Sequence, residues 1–208
     1  MLGIFKWAAV VVALTLVSPV QNNDSVDIDY ESLYGQGQTY DDFLSEAVKR
    51  RAMWVRNTEK SSVPEDLGKR VEKIRGSWKL LVVAVDACSD SANIIPYLAR
   101  LAGTADMIDM RIVDSSIGRA VMEANRTPDG RPATPTIAVL NDTFEPVGFL
   151  IERPSTLRDW ALENKSKMST SEFLEKKFEW YDEDSGKESM SEILDIIERA
   201  SVSDHGDQ

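Results

Sequence analysis

The sequence predicts an α/β fold, because apolar runs of strand length alternate along the chain with segments of helical periodicity. Residues 78–85 (WKLLVVAV) form a continuous apolar run, which is typical of a strand that is covered on both faces. Residues 92–102 follow with apolar side chains at helical spacing. Thr136–Leu140 and Pro146–Ile151 are two shorter strand-like runs joined by a turn-forming Asn-Asp pair. These segments indicate a sheet with helices packed against it.

The segments around this unit predict one more strand and several helices. Residues 107–113 alternate sufficiently between apolar and polar side chains to be expected as a strand. Ser169-x-x-Glu172 and Ser189-x-x-Glu192 are capping boxes, each expected to open a covering helix near the C-terminus. Further helices are expected over residues 40–57, 64–74, 118–124 and 155–165.

Length, composition and charge limit the classes of protein to consider. A chain of 208 residues, 42% hydrophobic and 28% charged, has room for one globular domain with appendages. We expect this domain over residues 39–200, preceded by a polar linker over residues 21–38 and followed by a disordered tail over residues 201–208. The formal net charge is −11. A surface of that sign repels phosphate backbones, so nucleic acid is not an expected partner.

The first twenty residues are expected to direct the protein to a membrane. Lys6 precedes an apolar run over residues 7–17, which Ser18-Pro19 closes. A short basic start followed by an apolar run of this length is typical of a secretory signal. No good small-x-small cleavage site follows, so residues 1–20 are interpreted as a signal peptide or an uncleaved membrane anchor. We therefore expect an exported protein, periplasmic or extracellular, with N-terminal membrane association in the anchored case.

The chain contains one cysteine, Cys88, and one histidine, His205. A single cysteine excludes an internal disulfide and a cysteine-rich zinc site. His205 lies in a polar terminal segment, where a histidine-based catalytic triad is hard to build. We accordingly expect no metal centre and no cofactor.

Three short motifs carry a resemblance to a known family. Cys88-Ser89-Asp90-Ser91 follows the first long strand and opens a helix, Pro96 lies inside that helix, and Thr134-Pro135 precedes a strand. This order resembles the thioredoxin superfamily, whose reactive Cys-x-x-Cys turn and cis-proline loop occupy these places. The resemblance implies a thioredoxin-like fold, a central mixed sheet flanked by helices, here with extra N- and C-terminal helices. It also implies that Pro135 is cis and faces the thiol.

Further segments resemble one branch of the superfamily, which has a Cys-Gly-Asp-Ser/Cys turn. These segments are residues 87–92 (ACSDSA), 39–43 (TYDDF) and 179–184 (EWYDED), and Arg153-Pro154 after the predicted hairpin also fits. The resemblance covers residues 40–200. It implies a catalytic pair, Cys88 and Ser91, and a substrate groove that contains Asp90, Thr134 and Pro135.

The chemistry expected of Cys88 follows from its place at a helix N-terminus. Unpaired backbone N–H groups and the positive end of the helix dipole favour the thiolate, which is the nucleophile in thiol–disulfide exchange. Ser91 stands where dithiol enzymes carry the resolving cysteine, so a dithiol cycle within one chain is excluded. The leading hypothesis is therefore a monothiol oxidoreductase that exchanges disulfides with a protein or a low-molecular-weight thiol.

The same turn also supports a second hypothesis, a thioredoxin-fold binding module that has lost catalysis. Ala87 replaces the usual Trp of this turn and Ser89 replaces the usual Gly. Asp86 and Asp90 bring negative charge near Cys88, which opposes the thiolate. A free cysteine is also most often a small buried residue of the core. The reactivity of Cys88 in the folded protein distinguishes the two hypotheses.

Overall fold

The computed structural model describes residues 27–203 of the chain. The predicted signal peptide or anchor at residues 1–20 lies outside the described residues, and so do residues 21–26 and 204–208. Within the described part, no helix is both long and apolar enough to cross a membrane.

The centre of the fold is a four-stranded mixed sheet. Its strands are β1 (Trp78–Ala84), β2 (Ile108–Asp114), β3 (Thr136–Leu140) and β4 (Pro146–Ile151), arranged in the order β2-β1-β3-β4. β1 pairs with β2 in parallel, whereas the β1–β3 and β3–β4 pairs are antiparallel. The predicted α/β fold with a mixed sheet is confirmed.

Helices cover both faces of the sheet and extend the unit at both ends. The side chains of β1 alternate between two hydrophobic clusters, as the two-residue period of a strand requires. Leu80 and Val82 face the larger cluster, which includes the helices over residues 89–102 and 187–203, whereas Leu81 and Val83 face the smaller cluster, with the helices over residues 30–35 and 119–124. All four are fully buried, which contributes about 1.5–3 kcal/mol per side chain to folding. The helices are α1 (Tyr30–Gly35), α2 (Tyr40–Glu46), α3 (Arg51–Lys60), α4 (Glu65–Val71), α5 (Ser89–Ala102), α6 (Arg119–Ala124), α7 (Ser155–Asn164), α8 (Thr170–Asp184) and α9 (Lys187–Ser203).

The predicted linker over residues 21–38 is wrong in its described part. Asp29 caps α1 by accepting the N–H of Ser32 at 2.9 Å. Tyr34 is buried in the smaller cluster, and its hydroxyl donates to the carboxylate of Asp109 at 2.8 Å. Gln38 forms a β-bridge with β2. A capped helix with one buried aromatic side chain therefore packs on the sheet, although its composition is polar.

The single helix predicted over residues 40–57 is also wrong, because the structure divides it into α2 and α3. Arg50, at the break, has a left-handed backbone with φ of 52°. The carboxylate of Asp86 accepts the backbone N–H groups of Val48 and Lys49, at 3.0 and 2.7 Å. These two N–H groups bind a side chain that is nearly forty residues away, so local periodicity does not reveal the break.

The two predicted C-terminal helices are present, but only the first begins at its capping box. Ser169 and Glu172 form the box at the start of α8. α9 begins at Lys187 instead of Ser189, because the carboxylate of Asp184 accepts the N–H of Glu188 at 3.0 Å. α9 also continues to Ser203, so residues 201–203 of the expected tail are helical.

Candidate active site

Cys88 lies between the end of β1 and the start of α5. It is the N-cap residue of α5, and its sulfur accepts the backbone N–H of Ser91 at 3.4 Å. The residue is partly exposed, and Ala87 beside it is exposed. Cys88 is therefore a partly exposed residue whose thiol lies next to the unpaired N–H groups of a long helix.

The Thr134–Pro135 loop lies directly against this thiol. The peptide bond between the two residues is cis. The Cys88 thiol donates to the backbone carbonyl of Thr134 at 3.0 Å, which joins two motifs separated by 46 residues. Thr134 is partly exposed, whereas Pro135 is buried and its carbonyl accepts the N–H of Glu152 at 2.8 Å.

The loop that precedes Cys88 is held by the chain between α2 and α3. Arg50 is exposed and its Nε donates to the carbonyl of Ala87 at 2.6 Å, which places a guanidinium beside the cysteine turn. Backbone hydrogen bonds, chiefly from Lys49 and also from Val48, lower the pKa of Asp86. Val48 is 81% exposed, so an apolar side chain stands in solvent next to this loop. No sequence signal pointed to Arg50 or Val48, because their contacts with the loop are formed only in the folded chain.

Asp90 lies on the opposite, buried side of the turn, which differs from the substrate-groove position expected for it. The residue is 6% exposed. One carboxylate oxygen accepts the Lys177 ammonium at 3.0 Å and the Tyr181 hydroxyl at 2.9 Å. The other oxygen accepts Arg153 Nη2 at 3.2 Å. Asp90 therefore binds α8 and the segment after β4 to the first turn of α5.

The charges of this buried group balance one another. Lys177 and Arg153 oppose Asp90 and Glu152, since Arg153 Nη2 also lies 3.0 Å from the Glu152 carboxylate. Burial alone would lower the pKa of Arg153, but the charges of Asp90 and Glu152 raise it. Burial, and then the Asp90 carboxylate, raise the pKa of Tyr181 well above its usual value, so the phenol remains a hydrogen-bond donor. The negative charge of Asp90 is therefore paired within the network.

Ser91 is placed at the predicted position but does not present its hydroxyl to solvent. The residue is 0% exposed, and its Oγ has no hydrogen-bond partner among the described residues. Its backbone N–H, by contrast, is bonded to the sulfur of Cys88. The group that Ser91 contributes to the thiol is thus its main-chain amide.

A family match covers β1, α5 and the Thr134–Pro135 loop. The model of a family described as thioredoxin matches residues 37–171, more than half of the chain. The chain belongs to the thioredoxin family. The match ends just inside α8, so Lys177 and Tyr181, which bind Asp90, lie beyond it. Tyr181 belongs to a segment already noted for its resemblance, and Lys177 precedes it by one helical turn on the same face.

Two solved structures share the thioredoxin fold of this chain. A crystal structure of a protein of unknown function from Pseudomonas aeruginosa has a TM-score of 0.67 and 20% identity, covering 83% of this chain and 99% of that one. An HIV epitope scaffold has a TM-score of 0.63 and 20% identity, covering 82% of this chain and 98% of that one. At this identity the likeness shows the fold alone. No curated protein matches the chain.

Proposed function

We propose that this protein is a monothiol thioredoxin-family oxidoreductase that exchanges disulfides through Cys88 outside the cytoplasm. The observation that carries the proposal is the place of the sulfur. It belongs to the partly exposed N-cap residue of a 14-residue helix and lies 3.4 Å from the backbone nitrogen of Ser91 and 3.0 Å from the carbonyl oxygen of Thr134. An amide donor and a helix N-terminus both stabilise a thiolate.

The reaction is a displacement at sulfur. The Cys88 thiolate attacks one sulfur of a disulfide, the S–S bond breaks, and the departing sulfur leaves as a thiolate with the bonding electron pair. The products are a Cys88 mixed disulfide and one free thiol. Because the chain has no second cysteine, an external thiol must attack the mixed disulfide to release Cys88.

The substrate would dock along the Thr134–Pro135 loop. Thr134 is partly exposed, and loss of the Cys88 proton removes the donor that now occupies its carbonyl. An extended peptide has backbone N–H groups that can replace this donor, as in recognition by strand addition. Val48 offers an apolar contact near the loop before Cys88, and the Arg50 guanidinium adds positive charge to this side of the turn.

A binding module without catalysis is the second candidate. The observation that favours it is the Cys88–Thr134 hydrogen bond itself, because it uses the thiol proton and so stabilises the unreactive form. In this case the same surface would bind an extended segment of a partner without exchanging disulfides.

The reactivity of Cys88 tests the proposal. We expect the folded protein to be alkylated by iodoacetamide near neutral pH faster than the urea-unfolded chain, since unfolding removes the helix N-terminus. Added oxidised glutathione should give a reducible mass increase that Cys88→Ser abolishes. If alkylation of the folded protein is slower at every pH and no adduct forms, the binding module is the correct function.

A further inference from the structure

A second concave surface lies beyond the Thr134–Pro135 loop. It is a cleft of about 460 Å³ between the loop of residues 127–131 and helix α7. Clefts of about 300–1,000 Å³ with mostly apolar walls are typical of small-molecule sites. Pro128, Ala161 and Leu162 supply apolar surface here, and Leu162 is 48% exposed. No element within residues 27–203 covers this leucine.

The acidic groups that line the cleft are already paired. Asp129 binds Arg131 Nε at 2.7 Å and also accepts the hydroxyl of Thr127. These contacts, chiefly that with Arg131, lower the pKa of Asp129 to about 2, so its carboxylate stays charged and holds the arginine. Glu152 lies 3.0 Å from Arg153 and 3.3 Å from Arg131. Both carboxylates are therefore balanced by these two arginines.

Two further cations in the cleft have no comparable partners. Arg158 lies on α7 and Lys165 is its C-cap residue, seven positions later and about two turns along the same face. The nearest acid to Arg158 is Asp159, 3.8 Å away and 71% exposed, which is a weak pairing. Lys165 is exposed and forms no ion pair with any residue between 27 and 203. The cleft thus carries excess positive charge on a chain whose net charge is −11.

We propose that this cleft binds a small organic carboxylate with an apolar chain, its carboxylate between Arg158 and Lys165 and its chain against Leu162. Arginine and lysine bind carboxylates through charge-assisted hydrogen bonds. The net charge of −11 disfavours anions elsewhere on the chain, so the local positive charge of the cleft favours an anionic ligand there. This site goes beyond the disulfide exchange proposed above and does not require Cys88 to react.

An NMR titration of the full-length protein with hexanoate tests the site, with hexanol as the uncharged probe. Hexanoate is expected to shift the amide signals of α7 and of residues 127–131 with about millimolar affinity, as for a ligand of this size. Hexanol should bind much more weakly. Arg158→Gln/Lys165→Gln is expected to weaken hexanoate about tenfold, and Leu162→Asn about fivefold.

A matched control distinguishes the cleft from bulk charge. Arg119→Gln/Lys176→Gln removes the same two charges from exposed positions outside the cleft and should leave the affinity unchanged. Equal weakening by the control pair, equal binding of hexanol, or shifts outside the cleft would each overturn the site. Cys88→Ser should bind hexanoate as the wild type does, so a failure of the redox proposal is separable from a failure of this one.

Discussion

The loop before Cys88 and the helical turn after it each contain an aspartate, and the fold stabilises the two carboxylates in different ways. Asp86 lies in the loop and binds backbone N–H groups of Val48 and Lys49. Asp90 lies in the turn and binds charged side chains, Lys177 and Arg153, in the protein interior. The loop side of Cys88 is therefore open and built from main-chain contacts, whereas the turn side is closed and built from ion pairs. Buried cations therefore compensate the charge of Asp90, whereas Asp86 keeps its charge and is stabilised by backbone amides.

The difference predicts that the two aspartates contribute unequally to stability. Asp90→Ala leaves the ammonium of Lys177 and the guanidinium of Arg153 buried without their shared partner. Removing one member of a buried charge group costs about 3–5 kcal/mol. We expect a loss of that size in the free energy of unfolding, measured by urea denaturation.

A double-mutant cycle shows whether the loss comes from unpaired charge. Lys177→Met should be destabilising alone, and combining it with Asp90→Asn should cost less than the sum of the two single changes. Additive losses would mean that Asp90 and Lys177 do not interact, contrary to their 3.0 Å contact.

The hydroxyl of Tyr181 is the next largest expected contribution. Tyr181→Phe removes its 2.9 Å hydrogen bond to Asp90 and leaves the ring in place. A hydrogen bond to a charged group contributes about 1.5–3 kcal/mol, so we expect a loss of about 2 kcal/mol in urea denaturation. Tyr97→Phe is a suitable control, because Tyr97 packs in the same cluster and its hydroxyl hydrogen-bonds to the neutral Ser185 rather than to a buried carboxylate. Equal losses in the two variants would contradict the assignment.

On the open side, Asp86→Ala should have a smaller and pH-dependent effect. The loss of two backbone hydrogen bonds is comparable to the loss of a helix cap, about 1 kcal/mol. Because folding lowers the pKa of Asp86, its charge stabilises the fold above the unfolded pKa, and this contribution disappears as the pH falls through the folded value. The difference in the free energy of unfolding between the wild type and Asp86→Ala should therefore be smaller in acid than at neutral pH, as measured by urea denaturation. If that difference is the same at both pH values, the charge of Asp86 does not contribute to stability.

The contacts on the two sides also differ from the strand, helix and motif around them in how far the sequence predicted them. The strand over residues 78–85, the helix that follows and the Thr134-Pro135 motif depend on local pattern, and all lie where expected. The partners of Asp86 and Asp90 do not depend on local pattern. Lys177 is 87 residues from Asp90, and Val48 is 38 residues from Asp86. Asp90 was expected in the groove from the resemblance of the turn over residues 88–91, whereas no local pattern pointed to the cations that bind it in the interior.

Ser91 lies between the two sides. Its replacement by cysteine should have the smallest effect on the free energy of unfolding and the largest effect on the release of a Cys88 mixed disulfide. Its Oγ is buried and has no hydrogen-bond partner among residues 27–203, so Ser91→Cys removes a hydroxyl that no contact compensates. A sulfhydryl is only slightly larger and less polar, and we expect a change of less than about 1 kcal/mol in the free energy of unfolding.

The new thiol would be three residues from Cys88 on the first turn of α5, the spacing at which the second thiol of a dithiol enzyme attacks a mixed disulfide. In the wild type, the adduct with glutathione should persist until an external thiol is added. In Ser91→Cys it should resolve without one and leave an internal disulfide, seen by mass spectrometry as the loss of two hydrogens. Ser89→Cys is the control, because it adds a thiol at the adjacent position without the three-residue spacing. If the adduct of Ser91→Cys persists as long as that of the wild type, the side of α5 beneath Cys88 does not admit an attacking thiol, and release of the mixed disulfide depends on an external thiol alone.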